Sequence, residues 1–226
     1  DKPLAMSNAR TTANPGRPKD LAKRQAILDA AKCMFLKLGY EGSSMDAIAQ
    51  EASVSKLTVY NHFHDKENLF VAAVENHCEN QLPALDFDLK PDMPIQSALN
   101  RIALRFQSTI YSKEGLELHR LMCSMTQQNP GLVHQFFAAG PTRVLNHMTQ
   151  LLTQAHSQQK LYIPNSRQAA EHFLSLFCGH RHMRVLFDVE PLPSLEQQQQ
   201  LAQDNIAVFV RAYAAHEPTP QPAVNP

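Results

Sequence analysis

Between Ser55 and Lys66 the chain reads SKLTVYNHFHDK, which gathers a cation, a hydroxyl, a phenol, an amide and an imidazole within a few residues. At the helical step of about 3.6 residues, Val59 and Phe63 share one stripe and face inward. Lys56, Thr58, Tyr60, Asn61 and His62 then face outward. DNA's major groove admits one α-helix, and each base pair shows a distinct donor and acceptor pattern there. Thr58 can donate to a base or touch a thymine methyl, and Asn61 can pair with adenine or with a phosphate. Lys56 is long enough to reach either. Ser55 can cap this helix. Lys66 begins the next one, where its charge adds to free backbone N–H groups that suit a phosphate. Ser43 or Ser44, opening an earlier helix, is placed to hold DNA backbone in the same way.

Proline and glycine mark the elements that must position these groups. None of the 15 prolines falls between Pro18 and Pro83, or within 95–129, 142–163 or 194–217. Proline is excluded from helix interiors by its missing N–H and its ring clash, so these windows read as helices. The 7 glycines are too few for a protein rich in tight β-turns. Residues 20–38 place Ile27, Ala30, Ala31, Met34, Phe35 and Leu38 on one face, and Gly39 can stop that helix. Ser43 with Asp46 resembles a capping box for a short helix over 45–52. Ser53 and Val54 turn the chain into helix 56–62, and Asp65 caps a fourth helix that runs to about Asn80. Two short helices joined by a tight turn, behind a longer one, form a helix-turn-helix.

The proline- and aspartate-bearing segment 83–94 reads as a linker. Helices are then expected over 95–110, 116–129, 131–160 with a break at Gly140-Pro141, 166–187 and 195–214. Residues 1–18 read as a flexible basic arm and 217–226 as a disordered tail. The divisions are thus 19–66 for the DNA-binding unit and 67–216 for a second helical domain.

Composition excludes other classes. Hydrophobic residues reach 43%, too many for a disordered chain. No apolar run approaches the roughly 18 residues of a membrane span, and no signal peptide is expected from the N-terminal residues. Four cysteines without a CxxC or close pair suit a reducing cytoplasm. The 21 basic and 21 acidic side chains cancel, which alone would argue against nucleic acid. The balance hides a split: residues 2–37 carry 8 basic and 2 acidic groups, or +6, and residues from Val71 onward carry 11 and 13, or −2. The cationic end points to a polyanionic partner.

From Ala26 to Phe70 the sequence AILDAAKCMFLKLGYEGSSMDAIAQEASVSKLTVYNHFHDKENLF resembles the DNA-binding domain of the TetR/AcrR family of transcriptional regulators. Ile27–Leu38 with Gly39-Tyr40 matches the family's first helix, Ser44–Ser53 its second, and Val54–Phe63 with Lys66, Leu69 and Phe70 its recognition helix and sequel. Many relatives carry a small residue where Leu57 stands. The stretch Leu118–Phe177, above all HRLM, FFAAGPTRVL and AAEHFLSLFCG, is similar to an AefR-like C-terminal domain. The resemblance implies an all-α fold: a three-helix helix-turn-helix domain joined to a helical regulatory and dimerisation domain. It also implies that Tyr60 and His62 hold phosphates, and that a homodimer represses genes and responds to a small molecule.

Pro15-Gly16-Arg17-Pro18-Lys19 resembles the centre of an AT-hook, which puts arginine into a narrow minor groove. Arg17 and Lys19 are therefore candidates for that contact. One unit offers few base contacts, so a dimer on a near-palindromic operator is expected, joined through the last two helices. In the second domain, Phe106, Met122, Met125, Phe137, Phe173 and Phe177 are candidates for lining an effector pocket. Arg120, His134, His180 and Arg184 are candidates for anchoring its ligand, because buried polar groups need partners. No cofactor is implied. His180 and His182 point apart on a helix, and His119 with Cys123 falls short of the three or four ligands a metal needs. No P-loop, GxSxG or HExxH is present, so an enzyme is a remote alternative. A regulator controlled by a protein partner, or a constitutive one, is the nearer alternative. A mainly apolar cavity in the second domain would favour a ligand.

Overall fold

The computed structural model describes residues 16–215, and all regular elements among them are helices. They are α1 (Gly16–Leu38), α2 (Met45–Glu51), α3 (Lys56–Phe63), α4 (Lys66–Leu85), α5 (Ile95–Ile110) and α6 (Lys113–Met125). Then follow α7 (Pro130–Ala139), α8 (Pro141–Ser157), α9 (Ser166–Phe177), α10 (His180–Leu186) and α11 (Leu195–Ala212). No helix of the described residues is long and apolar enough to cross a membrane.

Local chemistry explains most helix ends. Ser44, Ser55, Asp65, Ser112, Asn165 and Ser194 each accept a backbone N–H from the first turn of the helix that follows. Gly39 takes φ +76° after α1, a conformation that costs a side-chain-bearing residue strain. The expected capping box at Ser43 does not form. Ser44 is the cap and bonds the Ala47 N–H at 3.2 Å, which frees Asp46 to pair with Lys56.

Four expected boundaries move. The helix begins at Gly16, so Gly16-Arg17-Pro18 is its first turn and not part of an extended arm. Proline is tolerated there because the first N–H groups of a helix have no intrahelical acceptor. Residues 1–15 of the expected arm, and the tail 217–226, lie outside the described residues. Helix α4 runs through Pro83 to Leu85, which shortens the linker to 86–94. The buried Leu82 and Leu85 hold that last turn against its neighbours and offset the bond Pro83 cannot make. The second helix after the linker starts earlier, at Lys113 behind its Ser112 cap, and ends at Met125. The expected helix 166–187 is two helices, broken at Cys178-Gly179.

The chain builds two cores, and the expected division at 66/67 does not separate them. The first joins Ile27, Phe35, Ile48, Val59, Phe63 and Phe70 from α1–α4 to Met122, Met125, Leu132 and Phe136 from α6 and α7. The second comes from α5 and α8–α11, around Leu99, Met148, Phe173, Phe177 and Phe209. Helix α4 and helices α6–α7 therefore tie the helix-turn-helix to the rest of the molecule. The crossing is close: a Cβ on Gly140 would stand 2.8 Å from the Cys78 sulfur of α4.

Candidate functional site

Helix α3 presents one buried and one open face, as the helical period predicts. Val59 and Phe63 are buried, while Lys56, Leu57, Tyr60 and Asn61 are exposed. Turning 100° per residue, Asn61 and Leu57 stand farthest from the buried pair. Lys56 and Tyr60 flank them on one side, Thr58 and His62 on the other. Leu57 is 69% exposed, which is costly for a leucine unless something covers it. A leucine on an otherwise polar face was the sequence signal for it.

Several side chains expected at DNA are already engaged. The Ser55 hydroxyl caps α3 and lies 2.8 Å from the Thr58 hydroxyl, which sets the orientation of Thr58. Lys56 pairs with Asp46 at 2.8 Å and lies over the Tyr60 ring at 5.7 Å. Both remain solvent-facing, so an arriving phosphate competes for Lys56 on even terms. Asn61 and the Tyr60 hydroxyl have no protein partner among the described residues.

Three of the expected contacts are turned elsewhere. Ser43 is buried and donates to the Gly39 carbonyl at 2.8 Å, so its hydroxyl is spent on the turn after α1. His62 faces α1, with its Nε2 3.2 Å from Asp20. Lys66 donates to the Tyr40 carbonyl at 3.0 Å, sits 4.3 Å over the Tyr40 ring and comes within 4.0 Å of Glu41. It braces the turn between α1 and α2. The start of α4 is also occupied by the Asp65 carboxylate, which accepts the Asn68 N–H at 2.8 Å. An anion there would meet that carboxylate first. Lys19 is exposed near the start of α1, and Arg17 lies in its first turn.

A second site lies between the two cores. A cavity of about 350 Å³ opens among α4–α9, with a mainly apolar wall that includes Leu82, Leu85, Phe106 and Leu145. Of the residues expected to line a pocket, Phe106 does so. Met122 and Met125 are packed in the first core, and Phe173 and Phe177 in the second. Arg120 donates to the Leu186 carbonyl at 2.8 Å and fastens α6 to α10. Arg184 pairs with Glu190 at 2.6 Å. His134, Phe137 and His180 are exposed and away from the cavity wall. Helical periodicity separates inward from outward residues, but it does not say which neighbour an inward residue meets.

The polar groups that do line the cavity include His77, His119 and Cys178. His77 Nδ1 lies 2.9 Å from a Glu114 carboxylate oxygen, and the same oxygen pairs with Lys32 of α1 at 2.9 Å. This shared carboxylate links the cavity wall on α4 to the helix-turn-helix through α6. Behind His119, His182 is buried with its Nε2 unpartnered, and its ring meets His119 and Tyr111 edge-on at 5.5 Å each.

Burial holds these groups neutral. It pushes His77, His119 and His182 below the usual imidazole range, and at His77 the opposing pull of Glu114 is the smaller effect. Burial also pushes the Cys78 and Cys178 thiols up to about 11, although Cys178 keeps exposed surface where it borders the cavity. The unfolded chain therefore binds more protons than the folded one below the ordinary imidazole pKa of about 6.5. That histidine contribution to stability is whole above about 6.5 and lost as pH falls through the depressed folded values. The thiol contribution is whole below the ordinary value of 9.0 and lost as pH rises through about 11. Thermal melts followed by circular dichroism should show a Tm plateau between these limits and a fall on both sides. A Tm that climbs from pH 7 to pH 5 would contradict the neutral, buried histidines.

Comparison with known proteins gives matches over both parts of the chain. Residues 27–73 match the family model for bacterial regulatory proteins of the tetR family, and residues 97–215 match that for the C-terminal domain of AefR-like transcriptional repressors. The chain is 27% identical over 140 residues to the HTH-type transcriptional regulator SrpR of Pseudomonas putida, covering 62% of this chain and 64% of that one. A TetR-family regulator structure from Mesorhizobium loti superposes with a TM-score of 0.79 at 24% identity, over 86% of this chain and 98% of that one. The flavonoid-responsive regulator FrrA superposes with a TM-score of 0.72 at 28% identity, over 84% and 96%.

Proposed function

Because the chain belongs to the TetR family and is a DNA-binding transcriptional regulator, not an enzyme, we propose that it is a homodimeric repressor released from its operator by a small molecule. The observation that carries the DNA half is the outward face of α3, where Leu57, Asn61 and the hydroxyl end of Tyr60 stand open beside Lys56 and Thr58. Two such helices, held by a dimer, read successive major-groove faces of a near-palindrome. Exposed apolar side chains at Phe187, Val189, Leu192 and Leu195, between α10 and the start of α11, support pairing through the last helices. The protein acts in the cytoplasm, where its operator is.

The observation that carries the release half is the cavity wall. His77 borders the cavity and shares the Glu114 carboxylate with Lys32 of α1. A molecule that bears on His77 shifts that contact and, with it, the tilt of α1 and α4 relative to the second core. Its leverage equals its difference in affinity between the DNA-fitting and released arrangements. A flavonoid-responsive relative at 28% identity supports a small-molecule effector over a protein partner.

Gel shifts on an operator recovered by selection from random duplexes test the DNA half. Tyr60→Phe and Asn61→Ala should each weaken binding about tenfold, the worth of one good hydrogen bond to DNA. Unchanged affinity in both variants would remove α3 from the groove. Lys66→Ala, by contrast, should act through the turn at Tyr40 and lower the Tm.

A further inference from the structure

The oxygens beside Nδ1 of the two cavity histidines determine which of their ring nitrogens carries the proton. His119 Nδ1 lies 3.0 Å from the Gly115 carbonyl, and a carbonyl only accepts, so Nδ1 bears the hydrogen. His77 Nδ1 lies 2.9 Å from a Glu114 carboxylate oxygen, where a bare lone pair would be repelled, so the hydrogen sits on Nδ1 there too. Both rings are held neutral by burial, which leaves each Nε2 a bare acceptor. Neither Nε2 has a hydrogen-bond partner among the described residues. One histidine stands on α4 and the other on α6, and both border the same cavity.

No lysine or arginine lines that cavity among the described residues. Its one carboxylate, Glu171, is exposed and paired with Arg167 at 3.7 Å. An anion placed inside would face two lone pairs and no cation on the wall, and an ammonium would lose its hydration without a free partner. The remaining wall is aliphatic and aromatic, with Phe106 and Phe136 offering ring surface.

We infer that the cavity takes an uncharged aromatic molecule bearing hydroxyl groups, which donate to His119 Nε2 and His77 Nε2 while the ring system fills the apolar wall. This rests on the proposed reading of the cavity as the effector site, and adds the class of ligand. His119 and His77 select donors over acceptors. A methoxy group in place of the hydroxyl puts oxygen lone pairs against a nitrogen lone pair, and a carboxylate adds charge to that repulsion.

Three naphthalenes of like shape test it on the full chain at pH 7.5: 2,6-dihydroxynaphthalene, 2,6-dimethoxynaphthalene and naphthalene-2,6-dicarboxylate. The chain has no tryptophan, so probe fluorescence is read directly. The diol should bind at least about tenfold tighter than the diether, one hydrogen bond's worth, and the dicarboxylate should not bind. His119→Phe should take about tenfold from the diol and leave the diether unchanged, and His119→Gln, which keeps an acceptor, should restore part of the loss. If His119→Phe fails to fold, the diol-to-diether ratio in the His119→Gln chain and the unaltered chain carries the test. Equal binding of diol and diether, or tighter binding of the dicarboxylate, overturns the ligand class and leaves the cavity as an effector site. Silence from all three probes overturns the ligand class and the effector-site reading together.

Discussion

Leu57→Glu is expected to reduce operator binding at least about a hundredfold, roughly 3 kcal/mol, and to leave the melting temperature nearly unchanged. Leu57 is 69% exposed at the centre of the open face of α3, one turn from Asn61, so the fold makes little use of it. At a major groove the same position faces bases between two rows of phosphates. A carboxylate there meets negative charge on both sides, and the neighbouring cation, Lys56, is already shared with Asp46. Leu57→Ala removes apolar surface without adding charge and should cost far less. Fluorescence anisotropy with labelled operator at one fixed salt concentration measures all three chains. If Leu57→Glu binds as the unaltered chain does, the outward face of α3 does not enter the groove, and the face that does must be sought on α1 or α2.

Phe70→Ala is expected to cost about 3–5 kcal/mol of stability, the range for emptying a buried aromatic site. Phe70 lies on α4, 1% exposed, with the Phe35 ring 5.0 Å away and the Tyr40 ring 5.2 Å away, both edge-on. It joins α1 and the turn after it to α4, so its loss also loosens the backbone that Lys66 braces through the Tyr40 carbonyl. Natural domains have only about 5–15 kcal/mol in hand, and a loss of this size lowers Tm by about 10 °C or more in a chain of this length. Urea denaturation with both variant and unaltered protein gives the difference. A loss below about 1 kcal/mol would mean that the site collapses around the smaller side chain, and that the two cores are less tightly joined through α4 than their contacts imply.

The helices themselves were legible because their signals are local. Proline-free windows, inward stripes and caps such as Ser55 and Asp65 act over a few residues, and the period of 3.6 is the same in any context. The helix ends were less legible, because packing between helices moves them. Pro83 reads as a stop, yet the burial of Leu82 and Leu85 carries α4 past it. The pocket was far less legible. Phe173 and Phe177 are as apolar as Phe106, but they fill a core and Phe106 borders a void.

The sequence by itself determined an all-helical chain, the position of the helix-turn-helix, the outward chemistry of Lys56, Thr58, Tyr60 and Asn61, and a basic N-terminal stretch set against an acidic remainder. Only the tertiary structure decided that Ser43, His62 and Lys66 turn to the Gly39 carbonyl, Asp20 and the Tyr40 carbonyl. It alone placed His77 and His119 on one cavity and joined Lys32, His77 and Glu114 from three helices. The physical reason is that side-chain type and spacing set which face of a helix is buried, while the angles at which helices cross set what that face meets. Those angles are a compromise among every packed contact in both cores, and no segment carries them alone.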